Sequence, residues 1–346
     1  MSARFRFMNQ RPPVDVSELP SNRCNPFEDY SDEKFLKEFR MTKSEANYIC
    51  DLVKYDMPCL GHRRTDLSLQ QKVLVCLKTL GSGSFQNCSK DFVEISQPCV
   101  SKLLTAFTTS MTGKASRFIN MPPNVDGLES LKTGFYQVAK FPGILGCIDG
   151  THIPIIAPKI DEYSYVNRKK FHSINVQAIC NYNMEFLDVV AKWPGSAHDS
   201  FILSASAIHD RFENGEFGDG WLLGDSGYAL KSWLLTPIDE PRDAREKKYN
   251  KGHKKTRCLI ERAFGTLKMR FRILCHTGGR LCYKPDKVAK IIITCFVLHN
   301  ICRRNGTPLL DEDLFEPPIF SDDSVPSEAP TTSGRRQQER VINLMN

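Results

Sequence analysis

Three acidic residues stand where acids are seldom found. Asp149 follows the apolar run Ile144 to Ile148, Asp225 follows Trp221, Leu222, Leu223 and Gly224, and Glu261 lies inside an amphipathic segment beginning near Thr256. Aspartate is depleted within strands and is rarely buried unpaired, so two apolar strands that run directly into aspartates need an explanation. One is turn chemistry, because Asp149-Gly150 and Asp225-Ser226-Gly227 are good hairpin or loop sequences. The other is that strand-borne carboxylates and a helix-borne one converge on divalent metal. Hard oxygen ligands suit magnesium or manganese, and two such ions side by side can activate an attacking oxygen and stabilise the leaving oxygen in phosphodiester cleavage. Asp199, in WPGSAHDSFIL, is either the N-cap of the helix that follows or a fourth carboxylate at the same end of the sheet.

The elements that would hold these acids can be read from periodicity. Ile260, Phe264, Leu267 and Phe271, at i, i+4, i+7 and i+11, make the buried stripe of a helix, and Glu261, Gly265, Lys268 and Arg272 repeat that spacing one residue round. One edge would then carry the acid and two cations able to steady a DNA backbone; an exposed, solvated Glu-Lys face is the plain alternative. Ser173, Asn175 and Gln177 alternate with Ile174, Val176 and Ala178, giving a polar strand face that lies beside the site or faces water. His152, His172 and His198 lack the spacing of a helical zinc pair, so no zinc is assigned.

Charge points to a polyanion. The net of +7 is unevenly spread: residues 307–346 hold eight acids and three bases, whereas residues 240–280 hold thirteen Lys/Arg against four Asp/Glu. The longest apolar run, Ile291 to Cys302, falls short of the ~18 residues needed to cross a bilayer, and the N-terminus lacks the apolar core of a signal peptide. The 13 cysteines include no C-x-x-C pair, so they read as reduced thiols in cytosol or nucleus and not as a disulfide framework or zinc finger. No membrane partner is expected.

With 346 residues, the chain divides into four expected parts. Residues 1–30, with four prolines and no apolar period, form a flexible arm. Residues 31–130 form a helical domain, in which Thr42-x-x-Glu45 and Ser68-x-x-Gln71 are capping boxes. Within it, helices over 84–93 and 96–110 are separated by Glu94 and Ile95, a helix-turn-helix pattern whose second helix would present Gln97, Ser101 and Lys102 to DNA. An ordinary helical hairpin is the competing interpretation. Residues 131–306 alternate short strands (143–156, 171–182, 185–193, 221–229) with helices (200–212, 256–274, 286–304), a mixed α/β sheet covered by helices. Residues 307–346, acidic and rich in Pro and Ser, form a disordered tail.

Seven segments in order, ISQPCVSKLL, GCIDGTHIPI, SYVNRKKFHSINVQ, WPGSAHDSFIL, WLLGDSGYALKSWLLTP, LIERAFGTLKMRF and VLHNI, give the chain a resemblance to the PIF/Harbinger transposases and the nuclease derived from them. The match spans about residues 62–305. The resemblance implies a ribonuclease H-like DDE catalytic domain that cuts DNA by in-line attack of water or a DNA 3′-hydroxyl. It assigns the catalytic acids to Asp149, Asp225 and Glu261, Asp199 being an additional metal ligand. In the wider group the glutamate helix often reads Tyr-x-x-Arg-x-x-x-Glu-x-x-x-x-x-x-Lys. Arg257, Glu261 and Lys268 fit that pattern, but Lys254 stands at the tyrosine place, which puts a tyrosine role in doubt and leaves the acids unaffected. Arg257, Lys268 and Arg272 become candidate contacts to DNA phosphate. The resemblance also implies a separate Myb/SANT-like DNA-binding partner, with residence in nucleus and cytoplasm; assembly into a homo-oligomer is left open. Two further hypotheses compete: a domesticated scaffold that binds DNA without cutting, and an RNA nuclease on the same fold.

Overall fold

A computed structural model of the chain describes residues 24–58, 67–83, 93, 95–275, 279–310 and 329–345. The N-terminal half of the fold is helical: α1 Pro26–Asp29, α2 Asp32–Phe39, α3 Lys43–Val53, α4 Leu69–Ser82, α5 Gln97–Gly113 and α6 Val125–Ala139. Both capping boxes form, Thr42 with Glu45 opening α3 and Ser68 with Gln71 opening α4, so two otherwise orphaned N–H groups are satisfied at each start. Helix α4 is buried nearly all round, from Lys72 to Gly81. On α5, Val100, Leu103, Leu104 and Phe107 are buried as its period predicts. Ser96 stands at its N-cap, although its side chain makes no capping bond. The helix expected over 84–93 lies outside the described residues except for Val93.

Among the described residues five strands follow: β1 Ile144–Pro154, β2 Ser173–Cys180, β3 Phe186–Pro194, β4 Trp221–Leu223 and β5 Leu234–Leu235. They form one mixed sheet in the order β3-β2-β1-β4-β5, antiparallel from β1 through β2 to β3 and parallel from β1 through β4 to β5. Between β3 and β4 the single helix expected over 200–212 is two, α7 Asp199–Ser204 and α8 Ala207–Glu213, because the Ser206 hydroxyl accepts from His209 N and starts a new helix. Strand β5 was not anticipated; two leucines are too few to show a period.

Helix α9, Ala244–Arg270, is 27 residues long and begins a dozen residues before Thr256. Asp243 caps it by accepting from Arg245 N and Glu246 N. The buried stripe runs on through Tyr249 and then Gly252, His253 and Thr256, the last three of which do not register as apolar in sequence. At the other end Phe271 leaves helical geometry, and Arg272 falls in a short 3-10 turn, Arg272–Leu274. The edge expected to run from Glu261 through Lys268 to Arg272 therefore stops one turn early. Helix α10, Pro285–Arg304, packs on both α5 and β3, and one hydrophobic core runs continuously from Phe35 and Phe39 through Leu77 and Phe107 to Phe186, Phe264 and Phe296.

The arm and the tail are structured at their described ends, while residues 1–23 and 311–328 lie outside the described residues. Within the arm, Asn25 caps α1 and Tyr30 is buried, stacking on Phe39. Within the tail, Thr332–Leu344 forms α11, which buries Val341 and Met345 and ties down β5: Thr331 N and Oγ1 donate to Leu230 O, and Gln338 Nε2 donates to Thr236 O. An amphipathic stripe of Val341, Ile342 and Met345 outweighs the acidic, proline-rich composition of the segment before it. The described cysteines are free thiols, six of them buried. Among the described residues no helix is long and apolar enough to cross a membrane.

Two buried histidines give this core a pH limit. Burial lowers His253 to about 4 and His299 to about 3, each imidazole resting against a backbone carbonyl, Leu235 O and Met184 O. Because both pKa values lie below the unfolded value of about 6.5, the unfolded chain takes up protons first, so stability is full above pH 6.5 and falls as pH drops toward 4. We expect a loss of about 3 kcal/mol or more over that window, measurable by denaturant melts. His253→Gln should flatten part of the slope.

Candidate active site

The parallel pair β1–β4 brings the two strand aspartates together. Cys147 lies opposite Leu223 in the register, and Asp149 and Asp225 each stand two residues further along. Strand β4 ends at Leu223, so Asp225 lies just past the carboxyl end of β4, beside Asp149 at the point of β1 where the parallel pairing has stopped. Asp149 does not form a turn. It is an internal strand residue, paired with Ala178 of β2, and β1 continues to Pro154. Asp225 does close a turn, its Oδ1 accepting from Gly227 N at 2.9 Å, so here turn and site chemistry coexist in one residue.

Asp199 opens the first turn of α7, while the N-cap position is held by His198, without a side-chain cap. The polar face of β2 fixes Asp199. Asn175 Nδ2 donates to Asp199 Oδ1 at 2.9 Å, and Gln177 Nε2 donates to Asp199 O at 2.8 Å and to the Tyr228 hydroxyl at 2.9 Å. Ser173, Asn175 and Gln177 are all buried, so this face lies beside the site and not in water. Gly150 is what lets Asp199 come in: a Cβ on Gly150 would stand 2.4 Å from Asp199 Oδ1. Gly150→Ala should therefore displace the Asp199 carboxylate, a flexible chain end, at little cost to the fold. Expected is an Asp199 carboxylate moved off Asn175 Nδ2 with a melting temperature within a few degrees of wild type, checked by a structure of the variant and by calorimetry.

Helix α9 supplies the remaining groups, lying along β1 with Cys147 Sγ against Thr256 O. Arg257 bridges the acids, Nη1 donating to Asp149 Oδ2 at 3.2 Å and Nη2 to Glu261 Oε1 at 2.5 Å. These side chains are mostly covered, 16% exposed for Asp149, 21% for Arg257 and 25% for Glu261, so their charges are poorly screened. Burial, and then the Asp225 charge, push the Asp149 carboxyl well above the usual carboxylate range; Arg257 opposes this and Asp199 adds to it. Burial weakens the Arg257 cation, but Asp149, Glu261 and Asp225 together raise it above its ordinary value. The Tyr228 hydroxyl is likewise pushed up by burial and by Asp199, Asp149 and Asp225. Asp149 thus feels both Asp225 and Asp199, and Arg257 offsets them in part.

Does a hard cation suit these residues? The donors are carboxylate oxygens, and their mutual repulsion is what such a cation relieves. Asn175 Oδ1, a buried amide oxygen on the residue that holds Asp199, has no hydrogen-bond partner among the described residues. The set fits magnesium or manganese. Among the described residues no three His, Cys, Asp or Glu side chains stand close enough to share an ion, and Arg257 bonds both Asp149 and Glu261.

The other sequence candidates are distributed as follows. Lys268 reaches β1, its Nζ donating to Thr151 Oγ1 at 2.7 Å and to His152 O at 3.3 Å. Arg272 is off the helix edge, as described above. On α5, Gln97 and Lys102 are exposed, but Ser101 is half-buried, and its hydroxyl and carbonyl both accept from Lys287 Nζ, so it does not face outward as expected. Sequence reasoning missed Gly150 and Tyr228. A glycine directly after a strand acid, and a tyrosine three residues after Asp225, are the signals that were available.

The family model for the DDE superfamily endonucleases matches residues 148–300. The chain is 34% identical over 314 residues to "Putative nuclease HARBI1" of Rattus norvegicus, covering 91% of this chain and 87% of that protein. It belongs to the Harbinger-derived DDE superfamily endonucleases. The Homo sapiens member is 36% identical over 279 residues, covering 81% of this chain and 80% of that protein. "Protein ALP1-like" of Arabidopsis thaliana is 30% identical over 290 residues, covering 77% and 70%. No solved structure matches the chain. The DDE match contains Asp149, Asp199, Asp225 and Glu261, the four acids of the site.

Proposed function

We propose that this DDE endonuclease family member cuts DNA phosphodiester bonds, with Asp149, Asp225, Glu261 and Asp199 holding divalent metal on a ribonuclease H-like sheet. The observation that supports this most strongly is the convergence of the acids: the β1–β4 register sets Asp149 beside Asp225, Gly150 leaves room for the Asp199 carboxylate against β1, and Arg257 bonds both Asp149 and Glu261. A magnesium or manganese pair, when bound, supplies Lewis acidity and stabilises charge on the attacking and leaving oxygens. The chain's own groups do the rest. Asn175 and Gln177 orient Asp199, the turn at Gly227 orients Asp225, and the β1–β2 pairing fixes Asp149. Arg257, on leaving the carboxylates, would meet a phosphate, and Lys268, about three turns further along α9, is anchored on Thr151 and His152 of β1.

The test is nicking of supercoiled DNA in Mg²⁺ or Mn²⁺ by the full chain, with Glu261→Gln and an EDTA control. Metal-dependent nicking lost in Glu261→Gln supports the reading; nicking that survives in Glu261→Gln sinks it. Replacing the DNA by RNA separates the two nuclease readings. The non-cutting scaffold has one observation in its favour, the Arg257 bridge that keeps the acids paired. Salt-sensitive DNA binding with no cleavage in either metal would select it.

A further inference from the structure

In the segment SYVNRKKFHSINVQ, which marks the family resemblance, the strand half Ser173 to Gln177 orients Asp199. The first half of the segment connects β1 to β2 and is built around a buried asparagine. Asn167 Oδ1 accepts from Lys169 N at 2.9 Å and Phe171 N at 3.3 Å. Asn167 Nδ2 donates to Ser173 Oγ at 3.0 Å, and its carbonyl accepts from Lys170 N. A bridge between Val166 and His172 closes the turn below. Lys170 sits at φ +61°, in the left-handed region where a lysine costs on the order of 1 kcal/mol, so the Asn167 bonds hold a conformation the residue does not favour.

The product of that frame is three consecutive exposed cations, Arg168, Lys169 and Lys170. They stand against the site on two sides. Arg168 Nη2 lies 2.9 Å from Nδ1 of His198, the residue before Asp199. Ser173, which the frame grips, also binds His152 Nδ1 at 3.0 Å, and the His152 carbonyl accepts from Lys268. Burial lowers the Lys268 ammonium to about 8; Cys275 opposes this, and the charge of Lys169 acts in the same direction as burial. Two cations that disfavour each other, next to a carboxylate cluster, make an arrangement that an intervening anion stabilises. Nearby, Tyr163 is 91% exposed and Ile160 77%, so the same connection also offers apolar surface.

We infer that the Arg168-Lys169-Lys170 turn is a phosphate clamp, which together with Lys268 grips the backbone of duplex DNA beside the carboxylate site. This rests on the nuclease reading and adds to it where the substrate lies: on the Asp199 side of the acids, over the β1–β2 connection. The clamp contacts phosphate and not base edges, so it contributes affinity and register without sequence preference.

The experiment measures binding, not cutting. Fluorescence anisotropy of a short labelled duplex is followed in EDTA over a range of NaCl for the wild-type chain, for R168Q/K169Q/K170Q, and for R335Q/R336Q/R340Q on α11 as a control of equal charge. Loss of three phosphate contacts should lower the slope of log K against log[salt] by about 2 to 3 and weaken binding roughly 100-fold at physiological salt, with the control near wild type. The conservative variant R168K/K169R/K170R should restore binding, which a folding defect would not predict; the Asn167 frame is intact in every variant. Binding by the turn variant equal to wild type, or an equal loss in the α11 control, overturns the clamp while leaving the nuclease reading to its own assay. A wild-type chain that neither binds nor nicks DNA overturns both.

Discussion

Asp149→Asn is expected to abolish metal-dependent DNA cleavage, by at least ~10³-fold, and at the same time to raise the melting temperature of the metal-free protein at pH 7. Both effects have one cause. Burial and the Asp225 charge raise the folded pKa of Asp149, so its ionised form is disfavoured in the native state. The linkage follows directly: a carboxyl whose folded pKa is raised contributes stability below its unfolded value of about 3.9 and loses it as pH rises through the folded pKa. At neutral pH the wild type bears that cost and the amide does not. The gain should be a few degrees in EDTA and should vanish below about pH 4, where the wild-type carboxyl is protonated in both states. A residue kept for stability would behave oppositely, and a variant that loses activity by unfolding would melt lower. Calorimetry at pH 7 and pH 4 beside the nicking assay decides between them.

Arg257→Gln should have the largest effect on stability of any single change at the site. Its guanidinium is the cation paired with both Asp149 and Glu261, and removing one partner of a largely buried ion pair leaves uncompensated charge, a loss of roughly 3 kcal/mol. The variant carries a diagnostic that ordinary destabilisation lacks. If the acids are a cation site, Mn²⁺ should raise the melting temperature of Arg257→Gln by more than it raises that of wild type, because the ion replaces the missing charge and no longer competes with the arginine. Equal shifts in the two proteins would mean that Arg257 and the metal do not share the carboxylates.

Much of this arrangement was legible in the sequence, and the exceptions have physical causes. The unusual placement of acids behind the apolar runs at Ile144 and Trp221 pointed to the site, because a strand patterned for burial does not accept a carboxylate without a reason. The strand over 143–156 already contained Asp149, but Asp-Gly left a turn there open; the pairing of Asp149 with Ala178, which closes that alternative, is long-range information. The early start of α9 was hidden because His253, Thr256 and Gly252 are buried by tertiary packing and not by their own hydrophobicity. Arg272 was misplaced by extrapolating a helical period past Phe271, where the backbone leaves the helix. The order in the last residues was obscured by composition: a window dominated by Asp, Glu, Pro and Ser concealed the short stripe of Val341, Ile342 and Met345 that docks α11 beside β5. Asp199 shows the limit most clearly, since neither a cap nor a ligand can be read from HDS without knowing that Asn175, two strands away in sequence, holds its carboxylate.

The claim beneath these predictions is that Asp149, Asp199, Asp225 and Glu261 together bind divalent cations. Titration of Mn²⁺ into the full chain, followed by electron paramagnetic resonance, tests it without requiring the right DNA or a partner. Binding should be saturable in the wild type and weakened at least tenfold in both Asp149→Asn and Glu261→Gln, variants on different elements of the fold. Mn²⁺ binding unchanged in both variants, or absent from the wild type, would contradict it.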